Sequence, residues 1–326
     1  MARIFCYIVH KAGVPDDSAF ELAAAARKID PSVSPTAILA GRGADLDVAC
    51  NAVGAAYPEI WNIANDALAY PNAELIRKAL VKVLPNNSIV LMAHDHFGID
   101  LAPGLSIKLN SAFVSDVVDI AGAEGSALKV VRQEFGGQVS AHVHCDIASG
   151  AVVTIRPGAF KPLEAVPIRV AVVDQSNDIG TLTAGRRYLE TVVAEAGDVD
   201  ITKHNVLVSI GRGIQEKDNV AIAEELAEAM GAAVSCSRPV VDAKWMEKSR
   251  QVGSSGKTVK PKVYLACGIS GAFQHLAGIK GSPFLIAINK NPKAPIFQVA
   301  DIGIVDDILE FLPEMTNKAR DLRHVA

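Results

Sequence analysis

The segments with the most chemical content are glycine-bracketed turns that follow apolar runs. Val263–Cys267 is such a run, and Gly268-Ile269-Ser270-Gly271-Ala272-Phe273-Gln274-His275 comes directly after it. Glycine after a strand permits a tight turn and a close approach of backbone to ligand. A helix opening there would offer free N–H groups beside the Ser270 hydroxyl, a cradle suited to an anion such as pyrophosphate. Taken alone, the segment reads equally as a cradle or as a tight structural turn. Gly211-Arg212-Gly213 follows a second apolar run, Val206–Ile210, where Arg212 is either a ligand contact or an exposed loop arginine. Gln251-Val252-Gly253-Ser254-Ser255-Gly256-Lys257-Thr258 is close to a triphosphate-binding loop, but that pattern needs glycine where Gln251 stands and an apolar strand before it. A Walker-type ATPase is excluded; a glycine–serine loop against a ligand stays open. The chain has no GxGxxG. His142 and His144 share one face of a strand without an obvious third metal ligand, and His94-Asp95-His96 sits between a strand and a helix, where loop or partner contacts are expected. No nucleophile motif occurs, so no catalytic residue and no metal ligand is assigned.

These segments need a frame to hold them. Ile4–Val9, Ala37–Ala40 and Ile89–Ala93 read as strands, and Asp17–Ile29, Ala44–Ala55 and Ala73–Leu84 as helices, a rhythm that implies a parallel sheet covered on both faces. From residue 112 the period changes: Phe113–Ile120, Leu128–Glu134, Gln138–Cys145 and Ala151–Ile155 are successive strands, antiparallel or extending the first sheet. Pro157, Pro162 and Pro167 mark a connector, followed by a strand at Ile168–Val173 and a helix at Thr183–Ala196. The rhythm then returns with strands at Val206–Ile210, Val263–Cys267 and Phe284–Ile288. Helices are expected at Asn219–Met230 and Val305–Leu312, the latter with Val305, Ile308, Leu309 and Leu312 inward and Pro313 after it. The fold class is α/β: an N-terminal mixed-sheet, nucleotide-binding-like domain over residues 1–200 and a C-terminal doubly wound parallel-sheet domain over 201–326. In such a sheet ligands bind at the carboxyl ends of the strands, so Arg212, Ser270 and Asn289 would face one crevice.

Composition narrows the function. In 326 residues, 50% are hydrophobic and the formal net charge is -4. The apolar content suits packed cores, and the acidic balance argues against a nucleic-acid binder. No apolar run reaches the roughly 18 residues of a membrane span, so no membrane insertion is expected. Ile4–Val9 is too short, and too soon followed by His10-Lys11, for a signal peptide. Cys6, Cys50, Cys145, Cys236 and Cys267 form no CxxC, which disfavours iron–sulfur and structural zinc sites and fits a reducing, cytoplasmic setting.

Four segments of the C-terminal third occur together in one known family. Ser237-Arg238-Pro239-Val240-Val241-Asp242-Ala243, Gln251 to Lys257, Gly268 to Gly278, and Ala287-Ile288-Asn289-Lys290 with Ala294 to Asp301 resemble the electron transfer flavoprotein alpha subunit, in order and at its spacing, over about residues 204–315. Phe97 to Pro103, Ser115-Asp116 and Arg156-Pro157-Gly158-Ala159-Phe160 match more loosely. Lys244 stands where glycine is usual, which leaves the local loop shape open.

The resemblance implies a heterodimer with a beta subunit and an FAD held mainly by the C-terminal domain. The chain would carry electrons without substrate chemistry of its own, between a flavin-containing dehydrogenase (an acyl-CoA dehydrogenase by family) and a downstream acceptor, a membrane quinone reductase or ferredoxin. It implies FAD contacts from Arg212, Ser237, Arg238, Gln251, Val252, Gly253, Ser254, Ser255, Gly268, Ser270, Gly271, Ala272, Phe273, Gln274, His275, Asn289, Asp307 and Ile308. Arg238 would lie against the isoalloxazine, Ser255 near flavin N5, His275 near O2, and Asn289 and Asp307 at the adenosine half. A guanidinium and a histidine at that end of the ring would favour reduced flavin. Two alternatives accompany this reading: an electron-bifurcating member that uses NADH and ferredoxin or flavodoxin through a second FAD in the beta subunit, and an adenine-nucleotide-binding protein without redox chemistry, resting on the N-terminal domain.

Overall fold

Strand residues in this chain alternate between two cores, and that alternation builds the sheets. Ile4, Cys6 and Ile8 join one apolar cluster while Phe5 and Tyr7 join the other, as expected of a strand buried on both faces. The computed structural model describes residues 3–163, 170–190, 199–281 and 283–323, which divide into two compact units, Met1–Glu190 and Thr191–Ala326.

The N-terminal unit begins with β1 (Ile4–Tyr7), a short hairpin of β2 (His10–Lys11) and β3 (Val14–Pro15), α1 (Ser18–Ile29), β4 (Thr36–Gly41), α2 (Gly43–Val53) and β5 (Glu59–Ala64). There follow α3 (Ala73–Val83), β6 (Ile89–Ala93), α4 (His96–Leu109), β7 (Ala112–Glu124), β8 (Ala127–Glu134), β9 (Val139–Asp146), β10 (Ala151–Ile155) and β11 (Ala171–Asp174). Nine strands form one sheet in the order β11-β5-β4-β1-β6-β10-β7-β8-β9. It is parallel from β11 to β7, and β7, β8 and β9 extend it antiparallel. The four expected strands after residue 112 thus do both things foreseen: three form an antiparallel arm, and β10 returns to lie between β6 and β7. Helices α1 and α2 pack on one face, α3 and α4 on the other. The Asn72 side chain caps α3 by accepting from the Glu74 N–H at 2.9 Å, and Asp95 caps α4 through the Gly98 N–H at 2.7 Å.

Two separated sequence motifs meet on this sheet. Asp116 occupies an irregularity of β7 with φ +58°, and Arg156, just past β10, grips its carboxylate with two nitrogens at 2.9 and 2.6 Å. The Gly158 N–H, two residues on, donates to the buried Glu21 carboxylate at 2.6 Å. These residues lock a turn.

The C-terminal unit comprises β12 (Val206–Ile210), α5 (Val220–Met230), β13 (Ala233–Cys236), α6 (Arg238–Asp242), β14 (Val263–Cys267), α7 (Phe273–Leu276), β15 (Phe284–Ile288), β16 (Ile302–Ile304) and α8 (Ile308–Arg323). Its sheet is parallel throughout, in the order β13-β12-β14-β15-β16. Val208, Ile210, Leu265 and Cys267 face α5 and α8. Leu207, Tyr264, Ala266 and Leu285 face a layer in which the loops around Val252, Val259, Ile269 and Ile296 replace long helices.

Several expectations change. Thr183–Glu190 is not helical: its backbone is held by α3, through Lys78 to the Thr183 carbonyl and the Gly185 N–H to Glu74, and Arg186 pairs with Asp100 of α4. The remainder of the expected helix, and the first two residues of the strand expected from Ile168, lie outside the described residues. Helix α8 continues through Pro313 to Arg323. The proline forfeits one hydrogen bond, but Leu312 stays in the core shared with α5, Thr316 is also buried, and Arg320 reaches Glu225. Val305 is exposed, because it precedes that helix at the end of an edge strand.

Lys244 takes the glycine conformation at the end of α6, with φ +59° and its N–H on the Val241 carbonyl. A side chain there is strained. Lys244→Gly should therefore stabilise the protein by about 0.5–1 kcal/mol, relief of strain outweighing the entropy of glycine in the unfolded chain. A rise in the urea midpoint would show it.

Candidate functional site

In the C-terminal sheet β12 connects outward to β13 on one side, and the later strands continue on the other, so the chain reverses direction between β12 and β14. At such a switch point the loops leaving two adjacent strands part and open a crevice at their carboxyl ends. Here those loops are Gly211-Arg212-Gly213 and Gly268-Ile269-Ser270-Gly271. They cross in direct backbone contact: Gly211 N–H donates to Cys267 at 2.8 Å and Gly213 N–H to Gly268 at 3.1 Å. A Cβ on Gly211 would stand 2.2 Å from the Gly268 carbonyl oxygen, and one on Gly213 would stand 2.6 Å from the Gly268 Cα. Gly268 itself has φ +65°. Only glycine satisfies these positions.

The same row of hydrogen bonds continues along the edge. Ser237 N–H donates to Ile210, Val252 N–H to Cys236, Gly268 N–H to Ile288 and Asn289 N–H to Ile304. Ile308, at the start of α8, packs against Gly268. Gly253 and Gly278 lie backbone to backbone, and Ser254 N–H donates to the Gln274 carbonyl at 2.7 Å, so the loop over 251–258 leans on the turn after β14. The structure therefore brings the expected residues, from six separate segments, to one edge of one sheet. Arg212, Arg238, Ser254, Ser255, Ser270, Ala272, Phe273 and Gln274 are exposed there, whereas Ser237, Gln251, Val252, Gly271 and His275 are buried. The Arg212 guanidinium has no hydrogen-bond or ion-pair partner among the described residues, and Arg238 has a loose pair with Asp242 at 3.3 Å.

The site differs from expectation in its details. Helix α7 has only four residues, so the turn after β14 lacks the macrodipole of a long helix, and its polarity comes from backbone groups and Ser270. Asn289 is committed internally: its side-chain amide donates to the Ile269 carbonyl at 2.9 Å and its oxygen accepts from the Asn291 N–H. It shapes the glycine turn. The Asp307 carboxylate accepts from the Leu309 N–H, and the Lys290 ammonium at 2.6 Å holds it below the usual carboxylate range. The Gln251 amide donates to the Ser255 hydroxyl at 2.9 Å.

His275 is the largest departure. The residue is 6% exposed. Nδ1 lies 3.1 Å from the Val252 carbonyl and Nε2 lies 2.9 Å from the Tyr264 hydroxyl, which in turn lies 2.7 Å from Ser209. Burial pushes the imidazole down to about 4, against a smaller pull from the Val252 carbonyl. Burial favours its neutral form, and both ring nitrogens have partners within the chain. Tyr264 and Ser209 were not singled out from the sequence, although a hydroxyl inside each otherwise apolar strand was the available signal.

The N-terminal unit has a switch point of its own, between β1 and β6. Its space is only about 10 Å³ and is lined by Asp16, Asp95 and Phe97. Gly98 packs onto the Ala93 carbonyl. Two carboxylates and a filled crevice do not suit a nucleotide phosphate. A larger cavity of about 930 Å³, lined by Arg3, Asn87, Ser88 and Ser126, lies at the amino ends of β1 and β6, away from the edge where such sheets bind ligands.

Fold and site together define an α/β protein whose C-terminal parallel sheet opens a crevice at its switch point. Residues 4–185 match the electron transfer flavoprotein domain, and residues 200–280 match the electron transfer flavoprotein FAD-binding domain. The chain is 41% identical to the electron transfer flavoprotein subunit alpha of Methylophilus methylotrophus over 231 residues, 71% of each chain. It is 32% identical to the mitochondrial electron transfer flavoprotein subunit alpha of Arabidopsis thaliana, covering 95% of this chain and 87% of that one. It is 33% identical to the LctC subunit of lactate dehydrogenase (NAD(+),ferredoxin) from Acetobacterium woodii, covering 75% of this chain and 58% of that one. The chain belongs to the electron transfer flavoprotein family as an alpha subunit, and it carries that family's FAD-binding domain. Among the described residues no helix is long and apolar enough to cross a membrane, and no group of His, Cys, Asp or Glu is placed to hold a metal.

Two outcomes follow from this geometry. Gly213→Ala forces the crossing loops apart and should cost about 1–3 kcal/mol, with loss of FAD from the purified protein, read as the ratio of flavin to protein absorbance. For His275, the folded group stays neutral between about pH 6.5 and about pH 4 while the unfolded one takes up a proton. Its contribution is complete above pH 6.5 and is lost as pH falls to about 4, a difference on the order of 3 kcal/mol. Thermal unfolding of the wild type should lose stability across that window, and His275→Gln should lose less.

Proposed function

We propose that this edge holds FAD through the residues expected from the sequence, and that the chain relays electrons as half of a heterodimer with a beta subunit. The observation that carries the reading is the row of backbone hydrogen bonds that gathers the segments bearing Arg212, Ser237, Gln251 to Ser255 and Gly268 to Gln274 at the carboxyl ends of adjacent strands, with Ile308 packed against Gly268. Bound FAD would supply reversible one- and two-electron redox chemistry. Arg212 and Ser270, beside the crossing glycines, suit the pyrophosphate: an unshared guanidinium and a hydroxyl at a place where backbone comes close. Arg238, Ser254 and Ser255 suit the isoalloxazine. Gln251 donates to the Ser255 oxygen, which leaves the serine proton free to be donated outward, toward N5. Asp307 suits the adenosine half, and Asn289 supports it by holding the turn.

The dehydrogenase partner is an acyl-CoA dehydrogenase in this reading, and the acceptor is a membrane quinone reductase or ferredoxin. A cytoplasmic setting accords with five free, buried cysteines. A second reading, electron bifurcation from NADH to ferredoxin or flavodoxin, is favoured by the similarity to LctC. It requires a second FAD in the beta subunit.

Co-expression with the beta subunit should give a yellow heterodimer, and a colourless complex that takes up no FAD would overturn the proposal. One flavin per heterodimer selects the simple shuttle and two select bifurcation. Arg238→Ala should lower the first one-electron midpoint potential by roughly 40 mV, corresponding to ~1 kcal/mol for an exposed charge; an unchanged potential removes Arg238 from the isoalloxazine.

A further inference from the structure

The loop that leaves β12 is held in a conformation its residues do not favour. Gln215 has φ +72° and ψ −51°, and the Glu216 N–H donates to the Ile214 carbonyl at 3.0 Å. A hydrogen bond between residues two apart, across a central residue with such angles, is a γ-turn of the rare and strained kind. Glycine adopts those angles freely, whereas the Cβ of glutamine makes them costly. Two attachments keep the turn in place. Ile214 is fully buried in the core shared with α5 and α8. The Asn219 side-chain amide donates to the same Ile214 carbonyl at 2.9 Å. Asn219 stands at the N-cap of α5, where an asparagine ordinarily accepts from the first N–H groups of the helix, yet it makes no such bond. Its amide is directed backward, to the loop.

The strained turn lies directly behind Arg212. The Gln215 N–H donates to the Arg212 carbonyl at 3.1 Å and the Ile214 N–H to the Gly211 carbonyl at 3.1 Å, so successive turns overlap. On the other side Gly211 and Gly213 rest on Gly268. The Arg212 backbone is thus fixed from both sides, while its guanidinium has no partner among the described residues. We propose that Asn219 is a positioning residue for the cofactor site: by holding the turn at Gln215 closed, it fixes the backbone from which Arg212 reaches the FAD pyrophosphate. A long side chain loses conformational freedom when it grips an anion, and a preset backbone lowers that cost. Without the amide, the Ile214 carbonyl keeps only the Glu216 N–H, and Gln215 relaxes toward ordinary angles and carries Arg212 with it. This role rests on the flavin reading of Arg212, which it deepens, and Asn219 acts through Arg212 rather than on the cofactor itself.

The test follows FAD release from the full-length heterodimer after dilution, in the wild type and in variants, with the urea midpoint measured beside it. Asn219→Ala should release FAD on the order of tenfold faster, the loss of one part-buried hydrogen bond. Arg212→Ala should also release it faster, and adding Asn219→Ala to Arg212→Ala should change the rate little further, because both act through one guanidinium. Gln215→Gly alone should raise the urea midpoint. Combined with Asn219→Ala it should recover most of the lost retention, since glycine holds the turn without strain. Wild-type release from Asn219→Ala, effects of Asn219→Ala and Arg212→Ala that multiply, or no recovery with Gln215→Gly overturns the proposal. If Arg212→Ala releases FAD like the wild type, Arg212 does not touch the cofactor, and the flavin reading of that residue fails together with the role of Asn219.

Discussion

The arrangement of the C-terminal unit depends on two loops crossing closer than any side chain allows. Gly211 and Gly213 meet Gly268 with carbonyls and α-carbons nearly in contact, and the hydrogen bonds made there join the end of β12 to the end of β14. Because the sheet is parallel, every strand delivers its following loop to this edge. The crossing sets where Arg212 emerges, where Ser270 turns outward, and how near Ile308 comes at the start of α8. A shift here moves residues as far apart in the chain as Arg212 and Ile308.

The two faces of that sheet are held by different physics. One buries aliphatic side chains under α5 and α8 and gains from area. The other is covered by irregular chain, whose backbone groups need partners, and it contains the hydroxyls and imidazole that supply them. Polar atoms in that layer therefore serve the loops first. This explains why His275 and Asn289, both natural candidates for ligand contact, have their hydrogen-bonding groups turned inward.

The N-terminal unit shows how the same α/β grammar is put to a different use. Its switch point exists, but Asp16, Asp95 and Phe97 fill it with negative charge and bulk. The motif residues Asp116 and Arg156 serve the frame, closing a strained strand irregularity with a two-pronged ion pair whose turn is tied to Glu21. Sheet architecture alone is thus a poor guide to where a nucleotide sits, and the side chains at the strand ends decide.

The strand and helix pattern was largely legible in the sequence, because apolar periodicity is a local property: Ile89–Ala93, Val206–Ile210, Val263–Cys267 and Phe284–Ile288 were read at or near their observed limits. The elements that went unread include the hairpin of β2 and β3, β5, the four-residue β13, the five-residue α6 and the three-residue β16, which rely on neighbours for their stability, and the continuation of α8 past Pro313, which rests on packing against α5. The glycine turns, the two arginines and the family motifs were likewise set by residue type, since glycine alone tolerates the backbone contact and a guanidinium keeps its charge in any surroundings. Tertiary structure decided which of those polar groups remain free. Whether a histidine is charged, or an asparagine faces a ligand, depends on carbonyls and hydroxyls brought from distant strands, and those partners exist only once the sheet has formed.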